Sequence, residues 1–251
     1  MYKPFQPFRV FCWSLLFTLA LFIWLKAKGY YAIGLYPVYF SFGAVYLEKR
    51  LAKGILRYLQ PVFFALPLVA FYLMYQVAFP NRSPAYIRAH VTTYRQLGLL
   101  RWEDGKDHLL PQDFADMLGW RELAQKTDSI YKLLSATGNT LVLCDNYGQA
   151  GAINYYSRAG IRAVSFNADY INWFRLDTPY KNLVRVKEAD DNNREMTFTG
   201  PFFSRGWVAD SIANPYAREW GTRIYAFEGA AIDINHRLQK EIAAKKRKNS
   251  D

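Results

Sequence analysis

The run LQPVFFALPLVAFYLMYQVAF, Leu59–Phe79, contains no charged residue in 21 positions. A helix of about 20 apolar residues, rising 1.5 Å each, covers the hydrocarbon core of a bilayer. This stretch therefore reads as a membrane span. Two more uncharged runs precede it, Val10–Leu25 and Tyr30–Leu47. The second just reaches spanning length. The first is short, but Arg9 and Lys26 flank it, and long basic side chains reach outward to both surfaces. The expected architecture is a membrane protein: three transmembrane α-helices (about 10–25, 30–47 and 59–79) within residues 1–80, then a C-terminal α/β domain over residues 81–251. A cleaved signal peptide is the other reading of the first run. The segment Lys26-Ala27-Lys28-Gly29 lacks a small-x-small cleavage site, and two spans follow it, which favours a retained helix.

Lys and Arg are enriched on the cytoplasmic flanks of membrane helices. With three spans, one side carries Lys3, Arg9, Lys49, Arg50, Lys53 and Arg57. The other carries Lys26 and Lys28 in a short loop, then Arg82 and Arg88. The bias places residues 81–251 outside the cytoplasm of a plasma (bacterial inner) membrane. Lys26 and Lys28 run against it. They are candidates to hold an anion at the membrane surface, and interfacial anchoring is the alternative.

The formal net charge is +11. Much of it lies in the loops and in Lys240–Lys248, which reads as a solvated helix end. No nucleic-acid recognition motif accompanies the charge, so a nucleic-acid partner is not expected. Cys12 falls in a span and Cys144 in a strand, so no disulfide framework is expected.

Beyond Pro80–Pro84, which breaks the third helix, helical spacing begins at Asp113, an N-cap candidate. It continues through Trp120, Leu123, Ile130 and Leu134, with Gly119 able to kink or split it. Thr140–Cys144 reads as a buried strand, Gln149–Arg158 as a helix and Ala163–Phe166 as a second strand. Asn167–Phe174 reads as an aromatic turn, and Asn182–Lys187, Gly206–Ile212 and Arg223–Phe227 as further strands. Ala231, Ile234, Leu238 and Ile242 form one face of a last helix. Strands alternating with helices predict a mostly parallel sheet.

Enzymatic signatures are sparse. There is no nucleophile elbow, no Walker loop and no paired-cysteine motif. His90, His108 and His236 lack ligand spacing and read as structural. No cofactor is expected: Asp190-Asp191 could bind a divalent cation, but the Asp-Asp-Asn-Asn context reads first as a solvated turn. The strongest local candidate is the strand-to-helix turn Asp145–Gly151, because ligands of α/β sheets sit beyond the carboxyl ends of strands. The N–H groups opening the next helix suit an anion or a sugar hydroxyl. Gly148 would allow a tight turn, and Gly151 a close approach of helix to sheet. Asn167, Tyr170 and Trp173 follow the next strand, and their amide and rings suit a sugar's hydroxyls and apolar face. Packing on a membrane surface is their alternative.

Two segments carry a resemblance. Lys26-Ala27-Lys28-Gly29-Tyr30-Tyr31-Ala32-Ile33-Gly34-Leu35-Tyr36-Pro37 resembles a late membrane segment of bacterial family-39 glycosyltransferases. These are the dolichyl-phosphate-mannose protein mannosyltransferase-like group, GT-C enzymes related to the aminoarabinose lipid A transferase. Asn146-Tyr147-Gly148-Gln149-Ala150-Gly151-Ala152-Ile153-Asn154-Tyr155-Tyr156, with Asn167, Tyr170 and Trp173, resembles their extracytoplasmic domain. Gln149 stands where Glu is common there, and Phe174 where Gly is common.

The resemblance implies transfer of a sugar from a polyprenyl-phosphate donor to an acceptor outside the cytoplasm. It implies lipid-phosphate contacts at Lys26, Lys28, Tyr30 and Tyr31. Acceptor or sugar contacts would fall at Asn146, Tyr147, Gly148, Gly151, Asn167, Tyr170 and Trp173. It covers the family's C-terminal part only. The acidic loop that carries the family's catalytic residue has no counterpart here, so no catalytic residue is assigned. A truncated chain, or one working with a missing half or a partner membrane protein, is expected. The rival expectation is a non-catalytic, membrane-anchored α/β module that binds a glycan or a protein.

Overall fold

The computed structural model describes residues 3–27, 29–189 and 194–248. The chain divides into two compact units, Met1–Gln76 and Val77–Asp251.

In the first unit, a 3-10 helix (Lys3–Phe8) leads into α1 (Arg9–Trp24). A second 3-10 helix (Gly29–Leu35) leads into α2 (Tyr36–Leu51), and a third (Gly54–Leu59) into α3 (Gln60–Ala78). Among the described residues, two helical stretches are long and apolar enough to cross a membrane, Lys3–Trp24 and Gly54–Tyr75, and no residue of either is buried. The predicted span at 30–47 is not a third such helix. Pro37 lies in the first turn of α2, a place that suits proline, and the residues before it wind as 3-10 helix. The α-helical part then ends in Glu48, Lys49 and Arg50. Within this unit α1 and α2 run antiparallel. Phe42 packs on Phe5, Phe8 and Phe11 at ring separations of 5.2, 5.9 and 5.6 Å. Tyr39 Oη donates to the Phe11 carbonyl at 2.9 Å. From Gln60 to Tyr75, α3 is exposed at every position.

The second unit opens with α4 (Pro84–Ala89), α5 (Val91–Gln96) and α6 (Gln112–Ala115), which enclose Ile87, Tyr94, Leu100, Leu110 and Phe114. Pro111 caps α6, not Asp113. The expected long helix is split, because Gly119 adopts φ +87° and α7 (Trp120–Ser135) starts after it. A side chain at Gly119 would also approach Ala217 Cβ to 2.9 Å.

The sheet follows: β1 (Thr140–Cys144), α8 (Tyr147–Tyr156), β2 (Ala163–Ser165), β3 (Asn182–Lys187), α9 (Glu195–Thr199), β4 (Phe203–Ser211), β5 (Arg223–Ala230) and α10 (Ile234–Lys248). The strand order is β2-β1-β3-β5-β4. β1 pairs parallel with β2 and β3, whereas β3–β5 and β5–β4 are antiparallel. The sheet is therefore mixed, not mostly parallel. Residues 212–222 turn straight back from β4 into β5, closed by Ile212 N–H to Thr222 O at 2.9 Å, so no crossover helix intervenes. Hydrophobic alternation cannot distinguish the two pairings.

Both faces of the sheet are covered. α7 and α8 pack Leu123, Ile130, Leu134 and Ile153 on Val142, Val184, Ile224 and Ala226. α10 packs Ile234 and Leu238 on Leu141, Leu183, Tyr225 and Phe227. Each large side chain buried here contributes roughly 1.5–3 kcal/mol. α7 is also tied to the end of β4 by Lys126, whose Nζ lies 2.9 Å from Glu122 and 2.8 Å from Asp210. Burial opposes ionisation of Glu122. Hydrogen bonds from the Ala213 N–H and Lys126 outweigh it and hold the carboxyl below its ordinary value.

One buried amide joins three elements. Asn182 Nδ2 donates to the Leu134 carbonyl at 2.7 Å, and Asn182 Oδ1 accepts from the Gly229 N–H at 2.9 Å. Asn182→Ala leaves the Gly229 N–H without its partner in a closed interior and removes one of the bonds to the Leu134 carbonyl, which still accepts from Thr137. It should cost about 2–3 kcal/mol, read as a lower urea midpoint with unchanged slope. A change under about 0.5 kcal/mol, the size of an ordinary surface substitution, would show that the amide is dispensable.

Candidate functional site

β1 is buried at all five positions, so the first residue on its course free to carry charge is Asp145. Its neighbour β3 brings Arg185 and Lys187 to the same end. Asp145 pairs with Arg185, with Lys187 Nζ at 3.2 Å and with the Glu188 N–H at 3.1 Å. Glu195 of α9 closes the group, 3.8 Å from both Arg185 Nε and Lys187 Nζ. The four side chains are only 13–19% exposed. Two acids and two bases cancel, which is how so much charge is tolerated at low exposure.

α8 begins beside this cluster. Asn146 is its N-cap: Oδ1 accepts from the Gln149 N–H at 2.8 Å, and Nδ2 donates to Glu188 at 2.6 Å. The helix start is thus partly satisfied from within, more than an open anion site would be. Gly148 has no left-handed backbone and makes no tight turn. A Cβ there would lie 3.1 Å from Asn146 Oδ1, so the glycine makes room for the cap. Tyr147 points into solvent.

The second predicted segment meets the first. Ser165, fully buried at the end of β2, donates to the Asp145 carbonyl at 3.0 Å and accepts from the Asn167 N–H at 3.1 Å. Tyr170 lies in the 3-10 helix Ala168–Asn172. Its hydroxyl sits against Gly151, 3.1 Å from where a Cβ would stand. Gly151 therefore serves a tyrosine and not, as expected, the approach of helix to sheet. Trp173 is exposed, with its ring 4.2 Å from that of Tyr170. Ala168 adopts φ +52°, a left-handed conformation costing about 1–2 kcal/mol in a residue with a side chain. Asn146, Gly151, Asn167, Tyr170 and Trp173 thus share the carboxyl ends of β1 and β2.

In the first unit, Tyr30 and Tyr31 stack edge to face at 4.7 Å. Lys26 has φ +51° and closes α1: its N–H reaches Ile23 O, and the Ala27 N–H reaches Phe22 O. That turn ordinarily takes glycine. The Lys26 side chain is exposed, and its ammonium has no partner among the described residues. Lys28 lies outside the described residues, as do Asp190 and Asp191, so the cation reading has no geometry to test. Among the described residues no cluster of His, Cys, Asp or Glu could hold a metal. His90 stacks on Tyr86 at 4.1 Å and His108 on Trp102 at 3.7 Å, both structural roles. Burial pushes the Cys144 thiol far up, which keeps it from acting as a nucleophile.

The motifs did not reveal Arg185, Lys187, Glu195 and Glu219. The available signal was the pair of cations at alternate positions of an apolar strand. Glu219 explains Gln149: this fully buried amide donates to Glu219 at 2.7 Å and accepts from the Asp145 N–H at 3.2 Å.

Compared with protein families, curated proteins and solved structures, the chain matches no family model, no curated protein and no solved structure.

Gln149→Glu would set a buried carboxylate against the half-buried one of Glu219. It should destabilise the protein by about 2 kcal/mol at neutral pH. One acid would then have a higher pKa folded than unfolded, so folding takes up a proton and the deficit shrinks as the pH falls. Adding Glu219→Gln should restore stability at neutral pH. A deficit independent of pH and of Glu219 would refute the pairing; denaturant unfolding at several pH values reads it.

Proposed function

We propose that this chain serves a membrane glycosyltransferase that takes its sugar from a polyprenyl-phosphate donor and gives it to an acceptor outside the cytoplasm. The chain supplies lipid-phosphate contacts and the acceptor-side domain. The observation that carries this reading is the joining of two separate motif segments, through Ser165 and the Tyr170–Gly151 contact, into one surface of amides and aromatic rings. Such a surface suits a saccharide, whose hydroxyls take hydrogen bonds and whose C–H face packs on rings. The resemblance of both motifs to family-39 transferases supports the same reading.

The membrane part is read as three spans. Gly29–Leu51, wound first as 3-10 helix and then as α-helix, reaches roughly 38 Å at 2.0 and 1.5 Å per residue. It runs antiparallel to α1 and would accompany it across a bilayer. Lys26, Tyr30 and Tyr31, with Lys28, then lie at the outer surface. A polyprenyl phosphate gathers negative charge as it leaves the sugar, and fixed cations stabilise that charge. No residue here is assigned as catalytic acid or base.

A second reading is a membrane-anchored module that binds glycans without transferring them. It is favoured by the pairing of Asp145 with Arg185 and Lys187, which leaves that carboxylate unsuited to act as a base.

Reporter fusions test the topology: activity outside the cytoplasm after Asp251 and inside near Lys53 is expected, and the reverse would sink the transferase reading. Photo-crosslinking with a polyprenyl phosphate tests the lipid contact. Lys26→Gln with Lys28→Gln should lower occupancy by about ten-fold, equivalent to 1.4 kcal/mol, while Arg at both positions retains most of it. Equal occupancy in all three proteins would reduce the lysines to interfacial anchors.

A further inference from the structure

On the α10 face of the sheet, opposite α7 and α8, lies a cavity of about 270 Å³. Its floor is apolar, built by Leu141 and Leu183 from the sheet and Leu238 from α10. Its charged lining is balanced: Arg185, Arg237 and Lys245 against Asp145, Glu195 and Glu241. We propose that this cavity binds one neutral sugar ring of pyranose size.

Position is the first reason. The chain leaves β1 for β2 on one side and returns to β3 on the other, so the carboxyl ends of β1 and β3 flank the switch point of the parallel part of the sheet. Ligands of α/β sheets bind at such points. Asp145 and Arg185 stand there and line the cavity.

Charge is the second. An anionic ligand would meet three carboxylates, and an ammonium ligand three cations. A neutral ligand with both donors and acceptors meets no such repulsion, and lining groups that repel the wrong charge confer selectivity. Sugar hydroxyls are donors and acceptors at once.

The third reason is availability. Arg237 lies over the Phe202 ring at 4.3 Å and Lys245 over the Phe166 ring at 4.8 Å. Among the described residues, neither cation is in an ion pair and Glu241 has no hydrogen-bond partner. The rings hold the cations in place without using their N–H groups, which leaves these donors, and the Glu241 oxygens, for ligand hydroxyls. The leucine floor suits the C–H face of the ring. The volume is near the lower end of small-molecule sites, about 300 Å³, which admits a single ring and not an oligosaccharide.

None of Asn146, Tyr170 and Trp173 lines this cavity, so the site is separate from the surface they form. Its occupation does not require the lipid-phosphate donor, so the two can fail independently. The test uses the full chain in lipid nanodiscs prepared without glycoside detergents. Saturation-transfer NMR is recorded with methyl glucopyranoside, methyl mannopyranoside and, as the charged probe, glucose 1-phosphate. At least one methyl glycoside should show saturable transfer, more strongly than the phosphate. Arg237→Ala and Glu241→Ala, both exposed positions outside the core, should each weaken it about ten-fold, as expected for loss of one hydrogen bond to a charged group. Absence of saturable transfer from both glycosides would overturn the proposal, as would tighter binding of the phosphate. Loss of binding in Trp173→Ala with both rim variants unaffected would place the sugar on the Asn146–Trp173 surface and equally overturn it.

Discussion

The ion pair between Asp145 and Arg185 marks where the second unit changes character. Strand β1 lies between β2 and β3 and buries every side chain it has, so nothing along its length can carry charge. Only where the strand ends does an acid become admissible, and only because β3 delivers two cations in register beside it. The start of α8, the position of Glu188 and the placement of α9 through Glu195 all hang on that pairing. Breaking it would strand a charge in a space with little water, a cost of several kcal/mol. Polar chemistry is thereby concentrated at one end of the strands, with Tyr170 packed on the α7–α8 face and the cavity on the α10 face.

The two units solve opposite solvation problems. In Val77–Asp251 the large apolar side chains turn inward on both faces of the sheet. In Met1–Gln76 they turn outward, and α3 shows an apolar surface all round with no protein against it from Gln60 to Tyr75. A helix apolar on every side needs an apolar surrounding, and a bilayer supplies one. Lys26 stands out against this background. It occupies a left-handed turn where glycine would be cheaper, and it projects from the end of an apolar helix a cation that has no partner among the described residues. Strain retained at such a place motivates the functional reading of the loop.

Much of the architecture is legible in the residues. Thr140–Cys144 and Asn182–Lys187 are strands over the expected bounds because each is a short apolar or alternating run between turn formers. Gly119 does split its helix. The candidate site is only half legible. Asn146, Gly151, Asn167 and Tyr170 lie together at neighbouring strand ends, and the local roles of the glycines differ from those expected: they make room for side chains and do not shape turns. Arg185 and Glu219 escaped notice because their partners Asp145 and Gln149 lie 40 and 70 positions away, and Glu195 because its partners Arg185 and Lys187 belong to a different element.

Hydrophobic periodicity by itself determined that an apolar N-terminal region precedes an α/β unit, and which segments of that unit carry its five strands and the helices α7, α8 and α10. It could do so because burial in lipid or core acts on each segment separately. Three things were decided only by the tertiary structure. One is the antiparallel return of β4 and β5, since parallel and antiparallel strands bury the same residues. Another is the shortening of the second apolar run to an α-helix beginning at Tyr36. The last is the balance of charge at the end of β1, because an ion pair depends on distance in space, and only the fold brings position 145 beside 185, 187 and 195.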